Sequence, residues 1–421
     1  RTLSFAQRVH RTKMESHSAI IDKSRFVREM VVVGVKVPVK EISEFQARFG
    51  DLTLALPKVK NVRAIEDDDK HKMILLESKS EDMAKFISQR KYKVEETYKI
   101  ELNYDNLTMG EVLKELIPGE EVPSGFETVG DIAHFNLSEK MMKYKNLIGQ
   151  VTLDKNPHLR TAVTKLGQIE ATFRYYDLEC IGGDASSFET ILNEDKLRFK
   201  VDISKVYWCS KLHTERLRMV DQVLKKGEVL CDMFCGIGPL ALKAAVKKDV
   251  KVLANDLNPA CFEYLQKNIA LNKMAKLVLP FNMDAREFVR MVVKASNDPA
   301  VIPEEFMRFD HVYMNLPVDA VEFLDAFIGL FNHANKNVWK DPNSPEKLKL
   351  PMIHVYGFTY EDEKQKAQDY FVERIGKAMQ FPAFSADHVV LFHNIRDVSP
   401  QSHMYATSFY LPEEVAFKIN E

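Results

Sequence analysis

From about Lys211 onward, short apolar runs alternate with amphipathic segments, and this alternation restricts the fold more than any other feature of the chain. The runs have the length of buried strands and are bounded by turn residues; they are "GEVLCDMF", "VKVLANDL", "LVLPFNMD", "FDHVYMNLP" and "MIHVYGF". The segments between them have helical spacing: "PLALKAAVKK", "PACFEYLQKNIALNK", "AVEFLDAFIGLF" and "EDEKQKAQDYFVERIGKAM". This alternation predicts a mainly parallel, doubly wound α/β sheet. Two final runs, "HVVLFHNI" and "MYATSFYLP", are expected to pair and to make its last edge antiparallel.

Two smaller α+β regions precede this sheet. In the first, "REMVVVGVKVP" and "HKMILLES" are predicted strands, "VKEISEFQARF" is a predicted helix, and "IEDDD" is an acidic turn. The second begins near Leu102 and mixes short strands and helices as far as "RFKVDISKVYW". We therefore predict an arm over residues 1–18, α+β domains over 19–98 and 99–206, and the α/β domain over 207–421.

The composition excludes several classes of protein. A chain of 421 residues with 45% hydrophobic residues is large enough for two or three domains with their own cores. No apolar run approaches the length of a membrane span. Because the net charge is −2, any nucleic acid must be bound by local patches. The first forty residues form one such patch, with nine Lys/Arg against three Asp/Glu.

The chain begins with the basic stretch "RTLSFAQRVHRTKM", which has no acidic residue before Glu15. This composition is typical of the end of an organellar transit peptide and equally of a basic disordered arm, so both interpretations stay open. Five widely spread cysteines argue against a disulfide scaffold and for a reducing compartment. The nucleus, the cytoplasm and the mitochondrial matrix all agree with these features.

The stretch "CDMFCGIGPL" follows the first predicted strand of the sheet and opens a helix. Asp232, Gly236 and Gly238 therefore fall at the carboxyl end of that strand, where ligands bind in open α/β sheets. Asp256 ends the second strand, where an acid can bind the two hydroxyls of a ribose, and Asp284 ends the third. Three acids at successive strand ends suit an adenosyl ligand with a positive sulfonium better than a pyrophosphate. The alternative is a domain whose turns are simply rich in Gly and Asp.

Three further features have competing interpretations. Cys231 and Cys235 lack the second Cys pair or nearby His that a metal site needs, so we interpret them as buried small side chains. Asn315 ends the fourth strand in "NLP", where its amide can bind a planar base, although Asn-x-Pro is also an ordinary turn signal. The segment Ser204–Val220 interleaves aromatic and basic residues, a pattern that can hold an extruded base. Its composition alone favours an aromatic core strand followed by a helix whose inward side chains are Leu212, Leu217 and Val220.

Together these pieces resemble the archaeal and eukaryotic tRNA guanine-37 N1-methyltransferases. The resemblance covers roughly residues 100–412 in order and spacing, through "IGQVTLDKNP", "FRYYDLECIGGD", "SKVYW", "LHTER", "DMFCGIGP", "ANDLNP", "NMDAREF" and "MNLPVDAVEFLDAF". It implies a Rossmann-like class I S-adenosylmethionine-dependent methyltransferase domain preceded by two smaller α+β domains. It also implies S-adenosyl-L-methionine as the cofactor and no metal.

The resemblance implies roles for individual residues. Glu215 of "TER" matches the family's catalytic glutamate, and Arg174 of "FRYY" matches its catalytic arginine. Asn315 matches the asparagine of "NLP", and Tyr207 the tyrosine of "VYW". Cofactor contacts are expected from Arg216, Asp232, Phe234, Gly236, Gly238, Asp256, Leu257, Asp284, Ala285 and Asn315.

The implied reaction transfers a methyl group to N1 of guanosine at position 37 of tRNA, next to the anticodon. N1 carries a proton at neutral pH, so Glu215 is expected to remove it and Arg174 to stabilise the charge that develops on O6. The base must leave any stack, because N1 lies on its pairing edge. The first domain is expected to contact the tRNA elbow and the second the anticodon stem-loop. No membrane partner is expected, and a monomer is the working expectation.

One departure from the family and two other functions complete the sequence-based expectations. Lys211 stands where the family usually has Arg, which removes the bidentate fork that a planar contact there needs. One alternative function is transfer of the aminocarboxypropyl group of the same cofactor in the wybutosine pathway. The other is a non-catalytic, cofactor-binding tRNA chaperone.

Overall fold

A computed structural model describes residues 21–167, 177–298, 300–341, 344–399 and 401–419. These residues form two compact units. The first contains the described residues up to 165 together with 178–186, and the second contains the remainder. None of the described helices combines the length and apolar character that crossing a membrane requires.

The first unit begins with an antiparallel sheet of four strands: β1 (Arg28–Pro38), β2 (Val62–Ile65), β3 (Asp68–Leu76) and β4 (Lys93–Leu102). Their order is β2-β3-β1-β4. The helices α1 (Ile42–Phe49) and α2 (Glu81–Arg90) bury Phe45 and Phe86 in a core with aliphatic side chains of β1 and β3. The predicted acidic turn joins β2 to β3. Strand β2 itself was not predicted, because it is short and none of its side chains is fully buried.

The first unit continues with a second four-stranded sheet, of order β5-β6-β7-β8. Its strands are β5 (Glu127–Val129), β6 (Ile132–Phe135), β7 (Thr161–Leu166) and β8 (Asp177–Gly183), and its helices are α3 (Met109–Leu116), α4 (Glu139–Met142) and α5 (Lys145–Lys155). Gly149 in α5 lies so close to β8 that an added Cβ would be 2.0 Å from the carbonyl oxygen of Ile181. The glycine of "IGQVTLDKNP" therefore permits a close approach between a helix and a strand.

The second unit begins with the hairpin of β9 (Glu189–Glu194) and β10 (Leu197–Asp202), followed by the short helix α6 (His213–Arg218). Residues 203–209 form turns and irregular backbone, so the aromatic strand predicted before this helix is absent from the described residues. A π-helical turn, Met219–Val223, extends α6. Such widened turns are frequent at functional sites.

The main sheet of the second unit has seven strands: β11 (Val229–Asp232), β12 (Lys251–Asn255), β13 (Val278–Phe281), β14 (His311–Met314), β17 (Met352–Thr359), β18 (Val389–Ser399) and β19 (Ser402–Tyr410). The chain between β14 and β17 contains a two-stranded ribbon of β15 (Lys340–Asp341) and β16 (Ser344–Leu348). The order of the sheet is β13-β12-β11-β14-β17-β19-β18, in which the first five strands are parallel and β19 is antiparallel to its neighbours. This confirms the predicted doubly wound sheet and its antiparallel edge. The strand order reverses at β11 and β14, so their carboxyl ends border the crevice where ligands bind in such folds.

Five α-helices accompany this sheet: α7 (Pro239–Lys248), α8 (Pro259–Leu271), α9 (Ala285–Ala295), α10 (Lys364–Ala378) and α11 (Glu413–Ala416). Proline at the first position of α7 and α8 suits a helix start, because the missing N–H has no intrahelical partner there. The helix predicted over "AVEFLDAFIGLF" is instead two 3-10 segments, Ala320–Phe327 and Leu330–His333. Ile328 is extended and Gly329 has a φ of +65° between them, so the regular helix is interrupted there.

Candidate active site

The glycine loop between β11 and α7 adopts a backbone conformation that favours glycine at two positions. Gly236 and Gly238 have φ values of +56° and +89°, in the left-handed region that favours glycine. A Cβ on Gly238 would also lie 2.6 Å from Cδ1 of Leu265, whereas one on Gly236 would meet open space. Gly238 therefore permits close packing between the loop and α8, and Gly236 keeps the loop open on the side away from the core.

Asp256, directly after β12, ties the glycine loop to the second strand end. Its Oδ2 accepts a hydrogen bond from the backbone N–H of Gly236 at 2.8 Å, and its Oδ1 accepts one from the N–H of Asn258 at 2.9 Å. Burial raises the pKa of the Asp256 carboxyl, while these two hydrogen bonds and a third from the thiol of Cys261 oppose the rise. A carboxylate has about four acceptor sites, so the hydrogen bonds within the chain leave one for a ligand hydroxyl.

Asp232, the last residue of β11, is only 1% exposed. Its Oδ1 accepts a long hydrogen bond, 3.4 Å, from the backbone N–H of Phe234. Burial raises the pKa of Asp232 to about 8, and the nearby charge of Asp256 adds to the rise. A cation bound beside Asp232 would favour its ionised form and would be bound by it in turn.

The third acid, Asp284, caps the amino terminus of α9. Its Oδ1 accepts hydrogen bonds from the N–H groups of Arg286 and Glu287, at 2.9 and 3.4 Å, and the next residue, Ala285, is buried. Phe234 is half-buried and packs edge-to-face on Phe323 with ring centroids 5.0 Å apart. Leu257, beside Asp256, is 46% exposed.

Asn255 connects the first three strand ends, and sequence reasoning missed it. Its Nδ2 donates to the carbonyl oxygens of Met233 and Met283, at 3.2 and 3.0 Å, and its Oδ1 accepts from the N–H of Met283 at 3.0 Å. Since Asn255 is fully buried, these bonds satisfy its amide and hold the loops after β11 and β13 against β12. Its place at the end of a predicted strand, beside Asp256 in "ANDLNP", is the signal that identifies it.

Asn315 directly follows β14, the strand next to β11. Its Oδ1 is buried and has no hydrogen-bond partner in the described part of the chain. The turn that follows is anchored to β17, because the N–H of Phe358 donates to the carbonyl oxygen of Pro317 at 3.2 Å. A buried acceptor without a partner carries a desolvation cost that a ligand with a suitably placed N–H or O–H would remove.

Glu215 lies on α6 and is 4% exposed. Arg218 donates to both of its carboxylate oxygens, from Nε to Oε2 and from Nη2 to Oε1, each at 2.7 Å. The hydroxyl of Tyr356 donates to Oε1 at 2.5 Å. Tyr313 on β14 is the register partner of Asp232, and its ring centroid lies 4.9 Å from that of Tyr356, so two contacting tyrosines lie between the two buried carboxylates.

Arg216 is also buried, at 5% exposure. Its Nη2 donates to both oxygens of Glu194, at 3.2 and 2.9 Å, and its guanidinium carbon lies 5.4 Å from the ring centroid of Trp208. Its Nε is buried without a partner among the described residues. The inward face of α6 thus contains two charged residues, whereas Leu212 and Leu217 are only half-buried. The predicted inward position is confirmed for Val220, which is buried, and in part for the two leucines.

The remaining residues that were singled out in the sequence differ in exposure, and one of them lies outside the described residues. Tyr207 is 40% exposed in the irregular stretch before α6, and Lys211 is exposed. Arg174 lies outside the described residues. Cys231 and Cys235 are buried free thiols, which confirms their interpretation as buried small side chains.

One group in the described part of the chain has the spacing of a metal site: Glu194, Asp195 and His213. The ammonium of the fully buried Lys243 occupies its centre, 2.7 Å from Oε1 of Glu194 and 2.5 Å from Oδ2 of Asp195. This group therefore already has a cation within the chain. It holds the β9–β10 turn against α7, and sequence reasoning did not foresee it.

Comparisons with known proteins agree with this architecture. Residues 190–336 match the family described as the TRM5/TYW2 methyltransferase domain, and residues 109–186 match the TYW2 N-terminal domain. Among solved structures, Trm5b from Pyrococcus abyssi has a TM-score of 0.59 at 26% identity, covering 90% of this chain and 98% of its own. The complex of aTrm5 and tRNALeu has a TM-score of 0.61 at 21% identity, covering 91% of this chain and 100% of its own, and this likeness concerns the fold.

Relatives of similar length narrow the family further. A tRNA (guanine(37)-N(1))-methyltransferase from Phytophthora infestans is 38% identical over 417 residues, covering 94% of this chain and 93% of that protein. One from Candida albicans is 34% identical over 461 residues, covering 98% of this chain and 99% of that protein. The Rossmann-like domain, the two α+β regions before it and these relatives agree, and the chain belongs to the tRNA (guanine(37)-N(1))-methyltransferase family.

Proposed function

We propose that this chain transfers a methyl group from S-adenosyl-L-methionine to N1 of guanosine at position 37 of tRNA. The relatives that carry this name span nearly the whole chain. The structural observation that carries the proposal is the buried carboxylate of Glu215, which Tyr356 and Tyr313 connect to the strand end at Asp232. A general base thus lies near the strand end that is expected to bind the cofactor.

The residues at the strand ends fit S-adenosyl-L-methionine. Asp256 would bind the ribose, and Asp232, which is buried and forms no ion pair with the described residues, would bind a positive group of the cofactor. Asn315 and Arg216 add an acceptor and a donor whose hydrogen bonds are unmade within the described residues, which suits a ligand with an ammonium and a carboxylate. Further contacts are proposed for Phe234, Gly236, Gly238, Leu257, Asp284 and Ala285. When bound, the cofactor supplies a methyl group on a sulfonium and leaves as neutral S-adenosylhomocysteine.

The residues of this chain would perform the rest of the reaction. Glu215 takes the proton from N1 as the N1–methyl bond forms and the sulfur–methyl bond breaks. Arg174 donates to O6, where negative charge develops when N1 loses its proton. Asn315 and Tyr207 hold the extruded base, Asn315 through its amide and Tyr207 through its ring. The sulfonium is already activated as a leaving group, so these roles require no metal.

Recognition of the tRNA is also a proposal. We propose that the domain over residues 19–98 contacts the elbow and that the domain over 99–206 contacts the anticodon stem-loop, with the arm at 1–18 adding positive charge. We further propose that the protein acts as a monomer in the nucleus, the cytoplasm or the mitochondrial matrix.

Labelled S-adenosyl-L-methionine tests the proposal directly. Tritium transfer is measured to two transcripts of one tRNA, with guanosine or adenosine at position 37. The proposal predicts label on the guanosine transcript alone, together with S-adenosylhomocysteine. Release of methylthioadenosine would indicate aminocarboxypropyl transfer instead. Normal tRNA binding by a folded protein without either product would indicate the chaperone function and contradict the proposal.

A further inference from the structure

The two oxygens of the Glu215 carboxylate are not equivalent. Oε1 accepts two hydrogen bonds, from Nη2 of Arg218 and from the hydroxyl of Tyr356. Oε2 accepts one, from Nε of Arg218. A carboxylate oxygen has about two acceptor sites, so Oε1 is saturated and Oε2 keeps one site that no described residue fills.

We infer that Oε2 of Glu215 is the atom that takes the proton from N1, and that Arg218 and Tyr356 are positioning residues that direct the proton to it. The inference rests on the proposed function, which requires a base at Glu215. In the transfer, the N1–H bond breaks and an Oε2–H bond forms. The hydrogen bonds of Oε1 stay in place, so the carboxyl does not need to turn during the reaction.

The surroundings of Tyr356 and Arg218 suit a fixed geometry. Tyr356 is fully buried on β17, and its ring centroid lies 4.9 Å from that of Tyr313 on β14, so two neighbouring strands fix its hydroxyl. Arg218 lies three residues after Glu215 on the same helix, where side chains are neighbours. Its two parallel N–H···O bonds hold the plane of the carboxylate as well as its position.

Both donors fix the direction in which the carboxylate accepts a proton. Three hydrogen bonds hold Glu215 in one orientation, so Oε2 presents the same acceptor site in every turnover. Removing the Tyr356 hydroxyl should therefore slow the chemical step while the affinities for tRNA and cofactor stay unchanged. A purely structural contact would change the folded fraction or the affinity and would leave the rate of the bound complex unchanged.

The test compares the full chain with Tyr356→Phe on the tRNA with guanosine at position 37, by the single-turnover rate of methyl transfer and by the affinities for tRNA and S-adenosylhomocysteine. We expect the rate of Tyr356→Phe to be about tenfold lower, with both affinities unchanged. Tyr405→Phe is the matched control, since Tyr405 is a buried tyrosine of the same sheet that packs on Phe392, and its rate and affinities should equal those of the original protein.

An unchanged rate in Tyr356→Phe, or a lower rate that is explained by weaker binding, would overturn the inference while leaving the proposed function intact. If Tyr356→Phe does not fold, Arg218→Lys provides the same test, because lysine keeps the charge and loses the fork. Its rate should also fall at unchanged affinities, and an unchanged rate would again overturn the inference. Absence of methyl transfer by the unsubstituted protein would instead defeat the proposed function, and the inference with it.

Discussion

Asp232 and Glu215 are two buried carboxylates of one domain with opposite surroundings. Asp232 accepts one long backbone hydrogen bond and forms no ion pair with the described residues, and burial raises its pKa to about 8. Glu215 has a built-in counter-ion in Arg218 and a third hydrogen bond from Tyr356. Burial alone therefore does not determine the functional role of a carboxylate. The acid without a protein cation suits a positive ligand, and the acid with one suits repeated proton transfer at a fixed position.

The largest effect is expected on the Glu215 side of this comparison. Glu215→Gln keeps the size of the side chain and removes the proton acceptor, so the single-turnover rate of methyl transfer should fall by about 10²–10⁴-fold. Affinity for tRNA and cofactor should be nearly unchanged. Glu263→Gln, at an exposed ion pair on α8, is the control. Loss of cofactor binding in Glu215→Gln would show that Glu215, like Asp232, belongs to the cofactor site. The proposed difference in role between the two carboxylates would then be wrong.

A smaller effect is expected beside Asp232. Asp256→Ala removes the proposed acceptor for the ribose hydroxyls and frees the N–H groups of Gly236 and Asn258. We expect the affinity for S-adenosylhomocysteine, measured by calorimetry, to fall by about 10–100-fold, as for hydrogen bonds to a charged group. Asp369→Ala on the exposed side of α10 should bind as the original protein does. An unchanged affinity in Asp256→Ala would refute its role in binding ribose.

The smallest effect concerns the stability of the protein without cofactor. Asp232 ionises near 3.8 in the unfolded chain and near 8 in the folded one, so its contribution to stability is lost as the pH rises from about 4 to about 8. Asp232→Asn does not have this loss. Its Tm relative to the original protein should therefore increase between pH 5 and pH 8, by about 2–4 °C for each kcal/mol that the original protein loses. A difference that is constant with pH would show that Asp232 has its counter-ion within the protein after all.

The strand ends could be predicted from the sequence because their signals are local. An apolar run followed by Asp or Asn and then by Gly or Pro predicts both a buried strand and a polar group at its carboxyl end. The helix predicted as "PLALKAAVKK" has those bounds in the structure, since Pro239 starts it and Asp249, with a φ of +55°, follows its end. Asn255 shows the limit of such patterns, because its three hydrogen bonds reach two other loops.

The surroundings of Glu215 could not be predicted in the same way. Amphipathic spacing placed Leu212 and Leu217 on the inner face of α6, whereas the buried residues there include Glu215 and Arg216. Their partners come from distant parts of the sequence, since Tyr356 is 141 residues from Glu215 and Glu194 is 22 residues from Arg216. Periodicity contains no information about such contacts. The resemblance to a family identified Glu215, and only the fold shows what holds it.

The central claim is that a base acts on N1 of one guanosine, and the most direct measurement is the identity of the modified nucleoside. The tRNA with guanosine at position 37 is treated with the full chain and S-adenosyl-L-methionine, digested with nuclease and separated by liquid chromatography with mass spectrometry. The account predicts 1-methylguanosine in the fragment that contains position 37, and its absence after reaction with Glu215→Gln. A methyl group on another atom or at another position, or an aminocarboxypropyl adduct, would contradict the account.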